Sequence, residues 1–249
     1  MGDKHRPVLV TGGSRGIGAA VARAVAAAGH DVAIGFVEHR EEADAVVTEL
    51  RRTGSKALAI QADVSTADGA RSLVHRAQEE LGPLFGLINN AGIMPETPFL
   101  DVTPEEWNRV IATDLTAAFH TCQAVLPGML QSGSGVIVNI SSRLGQMGWA
   151  GVAHYSAAKA GLLGLTKSLA REFGPSGIRV NAVAPGPTLT AMAADVTTGE
   201  AGRRRLAEIP AQRFATPEDV AASVRFLISE DASMFHGQTL CPNGGGLMP

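Results

Sequence analysis

The sequence is poor in cysteine and in aromatic residues, and these shortages exclude several classes of protein. Its 249 residues include two cysteines, too few for a disulfide framework, and they do not form a Cys-x-x-Cys pair. The seven histidines lack the paired spacing of zinc ligands, so no metal site is predicted. Aromatic residues make up 4% of the chain, and they include a single tyrosine, Tyr155.

Long apolar runs and a strong excess of one charge are also missing. No run approaches the roughly 18 apolar residues of a membrane span, so no membrane association is expected. The net charge of -3 argues against nucleic acid or an anionic membrane surface as a partner. The charged residues 1–6 precede only a short apolar stretch, much shorter than a signal-peptide core, so we expect a cytoplasmic protein.

Apolar residues are plentiful, at 45% of the chain, which is enough for one sizeable domain. Short apolar runs cover residues 8–10, 32–36, 57–60, 84–88, 136–140 and 178–184. Longer helix-like stretches cover residues 16–28, 41–52, 67–81, 104–126 and 152–173. Because buried parallel strands read as continuous apolar runs joined by helical crossovers, this alternation predicts an α/β fold. We expect a doubly wound parallel sheet in three layers, forming a single domain over residues 1–249.

Two capping-box sequences mark helix starts, and one segment breaks the alternation. Thr103 with Glu106, and Thr216 with Asp219, each enclose a proline at the first helical position. Residues 187–210 are proline-rich at both ends and polar in the middle. We expect this segment to be a partly helical lid over the substrate.

A glycine-rich turn lies between the first strand and the first helix. Gly12 permits a tight turn, Gly16 lets the backbone approach a pyrophosphate, and Gly18 lets the helix pack closely on the strand. The helix N-terminus then offers free N–H groups and the positive end of its dipole to phosphates. The turn predicts a Rossmann-like dinucleotide site, although glycine-rich βα turns also occur without a ligand.

Tyr155 and Lys159 are four residues apart in a helical stretch, so they share one helix face. A free phenol has a pKa near 10 and exchanges protons poorly at neutral pH. A nearby ammonium favours the phenolate, so we expect Lys159 to lower the pKa of Tyr155 and make it a general acid or base. The alternative is a packed tyrosine beside a solvated lysine.

Several motifs in this order resemble the short-chain dehydrogenase/reductase family, and most closely its compact 3-oxoacyl-carrier-protein-reductase-like branch. The first loop, residues 11–18, matches the family pattern T-G-x-x-x-G-x-G. The other matching motifs are residues 89–92, Ser142, Tyr155 with Lys159, residues 185–186 and residues 243–245. The resemblance implies an NADP-dependent oxidoreductase that reduces a ketone or 3-oxoacyl carbonyl to a secondary alcohol, with Tyr155 as proton donor.

The resemblance assigns two further residues to the catalytic site. Family spacing selects Ser142, rather than Ser141, as the hydroxyl that hydrogen-bonds the carbonyl oxygen as it gains negative charge. A family asparagine that holds a water beside the lysine is replaced here by Asp114. A carboxylate can hold the same water and also raise the pKa of Lys159. The alternative is an aspartate with no part in the chemistry.

The second strand ends in Phe36, where NAD-preferring members of the family carry an acidic residue. Arg15, His39 and Arg40 are candidates for binding a 2′-phosphate, whereas Glu38 would repel it. This pattern favours NADP(H), with NAD(H) as the alternative cofactor.

The resemblance places further residues against the dinucleotide, although many of them also form turns without a ligand. These contacts are Gly12, Ser14, Arg15, Gly16, Ile17, Gly18, Asp63, Val64, Asn90, Ala91, Gly92, Tyr155, Lys159, Pro185, Gly186, Thr188 and Thr190.

By family position, the substrate pocket is apolar enough for an alkyl or aromatic ketone. Its expected lining, besides residues 187–210, is Met94, Leu144, Gln146, Met147, Trp149 and His154. The run of three arginines at residues 203–205 can steer a carboxylate or phosphate of the substrate, but we favour a solvated helix face. The apolar C-terminal tail resembles the surfaces that build a homotetramer or homodimer in relatives.

Two other functions stay open at this point. The same residues can run the reaction in reverse, as an NAD-dependent alcohol dehydrogenase. The fold can also persist in a non-catalytic, nucleotide-sensing protein, but the presence of Ser142, Tyr155 and Lys159 together argues against that reading.

Overall fold

The computed structural model describes residues 5–248 and has one parallel β-sheet at its centre. Its strands are β1 (Val8–Thr11), β2 (Val32–Phe36), β3 (Ala57–Gln61), β4 (Gly86–Asn89), β5 (Gly135–Ile140), β6 (Ile178–Val183) and β7 (Thr239–Leu240). Their order in the sheet is β3-β2-β1-β4-β5-β6-β7, and every neighbouring pair is parallel. The order reverses direction between β1 and β4, the place where such sheets open a ligand crevice.

Helices cover both faces of this sheet. They are α1 (Gly16–Ala27), α2 (Arg40–Arg52), α3 (Ala67–Leu81), α4 (Pro104–Ile111), α5 (Ala117–Ser132), α6 (Leu144–Met147), α7 (Ala153–Phe173), α8 (Ala194–Thr197), α9 (Gly199–Ala207) and α10 (Pro217–Ile228). One apolar layer packs α1, α2 and α10 on the sheet, and the other packs α3, α5 and α7 on the opposite face. The three-layer, doubly wound fold predicted from the apolar runs is confirmed.

Two local predictions need correction. The expected helix over residues 104–126 is divided by a π-helical turn at Ala112–Thr116, after which α5 continues to Ser132. The capping box at Thr216 is present, but the one at Thr103 is only half formed. Thr103 accepts the N–H of Glu106, whereas the Glu106 carboxylate bonds His154 instead of returning to the Thr103 amide.

Residues 187–210 are partly helical, as expected, and contain a short 3₁₀ turn followed by α8 and α9. None of the helices within residues 5–248 combines the length and apolar character that crossing a membrane requires.

A buried polar ladder fixes α7 against the sheet. Asn89 of β4 donates to Asn139 of β5 at 2.9 Å, and Asn139 donates to the Thr166 hydroxyl of α7 at 2.9 Å. Thr121 of α5 completes the ladder by donating to Asn89 at 2.6 Å. All four side chains are buried, so each depends on the others for its hydrogen bonds.

Thr166→Val is expected to lower the free energy of unfolding by about 1–3 kcal/mol, because the Asn139 amide then loses its buried acceptor. The control is Thr48→Val in α2. Both threonines donate to the carbonyl four residues earlier, but Thr48 is exposed and has no buried amide as a donor. Urea denaturation should show a change within about 0.5 kcal/mol for the control. Equal losses in the two variants would contradict a structural role for the ladder.

Candidate active site

The N-terminus of α1 opens into a large crevice. Its N-cap residue, Arg15, has extended backbone angles and makes no side-chain capping bond, and the first turn has no acidic side chain. Gly12 and Gly16 adopt φ values of 63° and 55°, which place the turn in the left-handed region. The first amides of the helix therefore have no side-chain cap, and the positive end of the dipole is available to an anion. This geometry fits the pyrophosphate of a dinucleotide.

The loops after β1 and β4 form the floor of the crevice together. The Thr11 hydroxyl accepts the backbone N–H groups of Asn90 and Ala91, each at 3.0 Å. The Asn90 side-chain amide donates to the carbonyls of Thr11 and Gly12 at 2.9 and 3.0 Å. The Asn90 side chain therefore holds the backbone of the glycine-rich turn in place. The floor of the crevice is made mainly of backbone atoms.

Most of the residues expected at the site line this one cavity of about 630 Å³. They are Gly12, Ser14, Arg15, Gly16, Ile17, Gly18, His39, Asp63, Asn90, Ala91, Gly92, Asp114, Ser142, Tyr155, Lys159, Pro185, Gly186, Thr188 and Thr190. Arg40 and Val64 are not part of the cavity wall. The Arg40 guanidinium bonds Gln61 at 3.1 Å and lies over the Phe36 ring, while Val64 is buried in the apolar layer.

Helix α7 brings the phenol and the ammonium to the same part of the cavity. Tyr155 is 9% exposed, and its ring centroid lies 5.5 Å from Lys159 Nζ. The Lys159 ammonium donates to the Ile140 carbonyl at 3.1 Å and lies 3.2 Å from Asp114 Oδ2. The lysine is thus buried against three groups that each favour its charged form.

The two neighbouring serines have different surroundings. Ser141 donates to the Lys159 carbonyl at 2.7 Å, so its hydroxyl holds β5 to α7. The Ser142 hydroxyl accepts the Leu144 N–H at 3.1 Å, and its interaction with the Tyr155 phenol acts to lower the pKa of that phenol. Of the two, Ser142 is therefore the one whose hydroxyl lies beside the phenol.

The electrostatics differ from the expected lowering of the Tyr155 pKa. Burial raises the pKa of Tyr155, the Asp114 charge raises it further, and the opposing effects of Lys159 and Ser142 do not cancel these contributions. The prediction that the pKa of Tyr155 is lowered is therefore wrong. Burial opposes the charge of Lys159, but Asp114 and Tyr155 raise its pKa overall. The Asp114 pKa is also raised, because burial outweighs the attraction of Lys159.

Asp114 lies in the π-helical turn between α4 and α5. Its Oδ1 accepts the Ile93 N–H at 2.8 Å, and its Oδ2 faces Lys159 with no hydrogen bond to any other described residue. Such turns are often found at functional sites because they redirect a single side chain. Here the turn places the Asp114 carboxylate between the Ile93 amide, in the loop after β4, and the Lys159 ammonium.

His154 does not line the pocket as expected, because it is completely buried. Its Nδ1 accepts the backbone N–H of Tyr155 at 2.8 Å, and its Nε2 lies 2.9 Å from the Glu106 carboxylate. Nδ1 therefore carries no proton, and the ring is a donor through Nε2. Hydrogen bonds from Thr97 and His154 lower the pKa of Glu106. The pair holds the first turn of α7, and sequence patterns miss it because its partners are 48 residues apart.

The substrate end of the cavity agrees only partly with expectation. Met94, Leu144 and Trp149 line it, whereas Gln146 contacts Cys241 and Met147 is largely exposed. Met192 and Val196 line it from residues 187–210, as expected, whereas sequence patterns missed three other lining residues, namely Ile93, Arg109 and Arg143.

The prediction that the three arginines at residues 203–205 form a solvated helix face is wrong for Arg205. Arg203 and Arg204 are exposed, and Arg204 pairs with Glu200. Arg205 instead lines the cavity, with its guanidinium carbon 4.5 Å from the centre of the Trp149 ring. No cluster of three or more metal-ligating His, Cys, Asp or Glu side chains is found in the described part of the chain.

Comparison with known proteins identifies the family of this chain. A family model described as short chain dehydrogenase matches residues 6–201. The chain belongs to the short-chain dehydrogenase family. The resemblance stated from its motifs is thereby confirmed.

Relatives in this family match nearly the whole chain. It is 42% identical over 243 residues to a 3-oxoacyl-acyl-carrier-protein reductase of Staphylococcus aureus, covering 98% of both chains. It is 44% identical to an acetoacetyl-CoA reductase of Rhizobium meliloti, covering 96% of this chain and 98% of that one. A blue fluorescent protein from a metagenomic library, solved in complex with NADPH, superposes with a TM-score of 0.92 at 37% identity, covering 98% and 99% of the two chains.

Gly18→Ala is expected to weaken dinucleotide binding about tenfold or more, because an added Cβ would overlap the Gly12 carbonyl and the Asn90 amide and displace the crevice floor. Gly164→Ala is the matched control, since that glycine also lies in a helix but has open space around it. A fluorescence titration with NADPH measures the affinities. Unchanged affinity in a folded Gly18→Ala protein would show that the floor is not the binding surface.

Proposed function

We propose that the protein reduces a ketone or 3-oxoacyl carbonyl to a secondary alcohol with NADPH, and that Tyr155 donates the proton. The observation that carries this proposal is the placement of Tyr155, Lys159 and Ser142 in the same crevice as the uncapped N-terminus of α1. The reductases of 3-oxoacyl and acetoacetyl thioesters among its relatives support the same reaction.

Each catalytic side chain has a distinct role in this proposal. A bound nicotinamide supplies the hydride. Ser142 hydrogen-bonds the substrate oxygen as negative charge develops, and Tyr155 gives that oxygen its proton. The adjacent Lys159 ammonium stabilises the phenolate that remains. Asp114 keeps Lys159 protonated through the contact of 3.2 Å.

The adenosine end of the crevice supports NADPH over NADH. Phe36 lines it where an acidic residue would bind the ribose hydroxyls, and Arg15 and His39 line the same region. The Glu38 side chain is 82% exposed and 4.0 Å from His39, so solvent screens its repulsion of a 2′-phosphate. The NADPH complex of the superposable structure agrees with this preference. The other residues that the family resemblance places against the dinucleotide, where they line the cavity, are proposed to contact it.

We further propose a cytoplasmic homotetramer or homodimer, with one domain per chain and residues 187–210 as the substrate lid. Both cysteines are free, which is typical of a reducing compartment. The lid assignment is supported by Thr190, Met192 and Arg205, which line the cavity from this segment. Self-association is supported by the exposed side chains of Phe99, Leu100, Trp107 and Phe119 on and near α4 and α5.

Tyr155→Phe tests the proposed chemistry. The parent should oxidise NADPH in the presence of ketones, with a higher kcat/KM for NADPH than for NADH. The variant should lose about 10²–10⁴-fold in kcat because it lacks the proton donor, while it still binds NADPH. Absorbance of the reduced nicotinamide measures both proteins. A variant that is as active as the parent would refute the role of Tyr155, and an NADH preference would refute the cofactor.

Asp114→Asn is expected to move the pH dependence of reduction toward lower pH. The Asp114 charge raises the pKa of Tyr155 and that of Lys159, so removing it lowers both. The phenol then loses its proton at a lower pH, and kcat/KM declines from that lower pH upward. Asp44→Asn, an exposed change on α2, is the control and should keep the parent profile. Superimposable pH profiles of parent and Asp114→Asn would contradict the role of the charge.

A further inference from the structure

Two arginines face the end of the cavity that holds Tyr155. Arg143 directly follows Ser142, and Arg205 reaches the cavity from α9. The Arg205 guanidinium lies over Trp149, which packs with Leu144 against the apolar cluster that contains Tyr155. Both guanidiniums therefore lie at the substrate end of the crevice, away from the glycine turn.

These two cations lack a carboxylate partner. Arg143 is 3% exposed, and its recorded side-chain hydrogen bond is a long one of 3.4 Å to the Gly246 carbonyl, although a guanidinium has five N–H donors. Neither Arg143 nor Arg205 forms an ion pair within residues 5–248. Burial, and to a lesser extent the positive charge of Arg205, lower the pKa of Arg143.

The acidic groups in this region do not neutralise the pair. Glu208 attracts Arg143 but does not line the cavity, and Glu96 lines the cavity but is exposed. Arg109 adds a third guanidinium to the wall. Guanidiniums that line a cavity and have no close carboxylate favour an anion bound between them.

We propose that the substrate carries an anionic group, which Arg143 and Arg205 bind while its carbonyl lies beside Ser142 and Tyr155. The planar forks of the two guanidiniums suit a carboxylate or a phosphate. The substrate class is therefore a short keto acid, whose carboxylate lies only a few bonds from its carbonyl. The proposal rests on the proposed carbonyl reduction and adds the group that the cavity selects.

Arg205→Met tests the proposal, because it removes the charge, keeps an apolar chain over Trp149 and changes a half-buried residue. Arg204→Met is the matched control on the same helix, since Arg204 is exposed and pairs with Glu200. Three ketones are compared with NADPH: acetoacetate, its neutral ethyl ester and acetoacetyl-CoA. Arg143→Met, checked by its thermal melting, provides an independent second variant.

The parent is expected to prefer an anionic ketone, and Arg205→Met to lose about 10- to 100-fold in kcat/KM for it, mainly through KM. The ethyl ester should lose much less than acetoacetate in Arg205→Met and Arg143→Met, and Arg204→Met should keep the parent kcat/KM for all three ketones. A loss with acetoacetate that the ethyl ester does not share identifies a carboxylate as the bound group, and a loss confined to acetoacetyl-CoA would overturn the proposal. Equal losses on charged and neutral ketones, or a parent without preference, would overturn the proposal.

A binding measurement separates this proposal from the proposed reaction. Calorimetry on the protein saturated with NADP⁺, which cannot reduce a ketone, compares the binding of acetoacetate, its ethyl ester and coenzyme A without turnover. Binding of acetoacetate that Arg205→Met weakens and Arg204→Met does not would support the anion site even if no ketone is reduced. Failure of acetoacetate to bind more tightly than the neutral ester, whether or not coenzyme A binds, would overturn it even if ketones are reduced.

Discussion

The buried ammonium of Lys159 is the interaction on which the catalytic end depends. It is 4% exposed and contacts the Ile140 carbonyl, the Asp114 carboxylate and the Tyr155 ring. Removing an ammonium from water is costly, so the charge persists only while these contacts stay in place. Because they come from β5, the π-helical turn and α7, one side chain fixes three elements relative to one another. The position of the phenol follows from that arrangement.

The two ends of the crevice are built in different ways. The end beside α1 is made mainly of backbone: uncapped amides, glycines that permit close approach, and loops bonded through Thr11 and Asn90. The other end is made of side chains whose charges interact in a buried setting. In the proposed reaction, backbone recognises the phosphates that all dinucleotides share, whereas side chains determine the pKa of the proposed proton donor. A substitution of Asp114 is therefore expected to change the pKa values of Tyr155 and Lys159 without changing the end of the crevice beside α1.

Substrate selection is assigned to a different part of the fold from proton transfer. Tyr155 and Lys159 lie on α7, which the ladder through Asn139 and Thr166 holds to the sheet. Arg205 lies on α9, in a segment outside the sheet and its covering layers. Rigid placement suits atoms that exchange a proton, and a peripheral segment tolerates the variation that new substrates require.

Local patterns were enough to predict strands β1 to β6, most helices, the glycine-rich turn, and the shared face of Tyr155 and Lys159, because strand burial and helical spacing depend on neighbouring residues. The short strand β7 was not predicted. Local patterns were not enough for the π-helical turn at Asp114, the His154 contact with Glu106, or the position of Arg205 in the cavity. The net direction of the Tyr155 pKa was also missed, since it depends on burial and on a carboxylate 41 positions away along the chain. The sequence by itself thus determined the fold and was enough to propose the reacting groups. Only the tertiary structure decided their electrostatic environment, because charge, burial and hydrogen bonding depend on which distant residues meet.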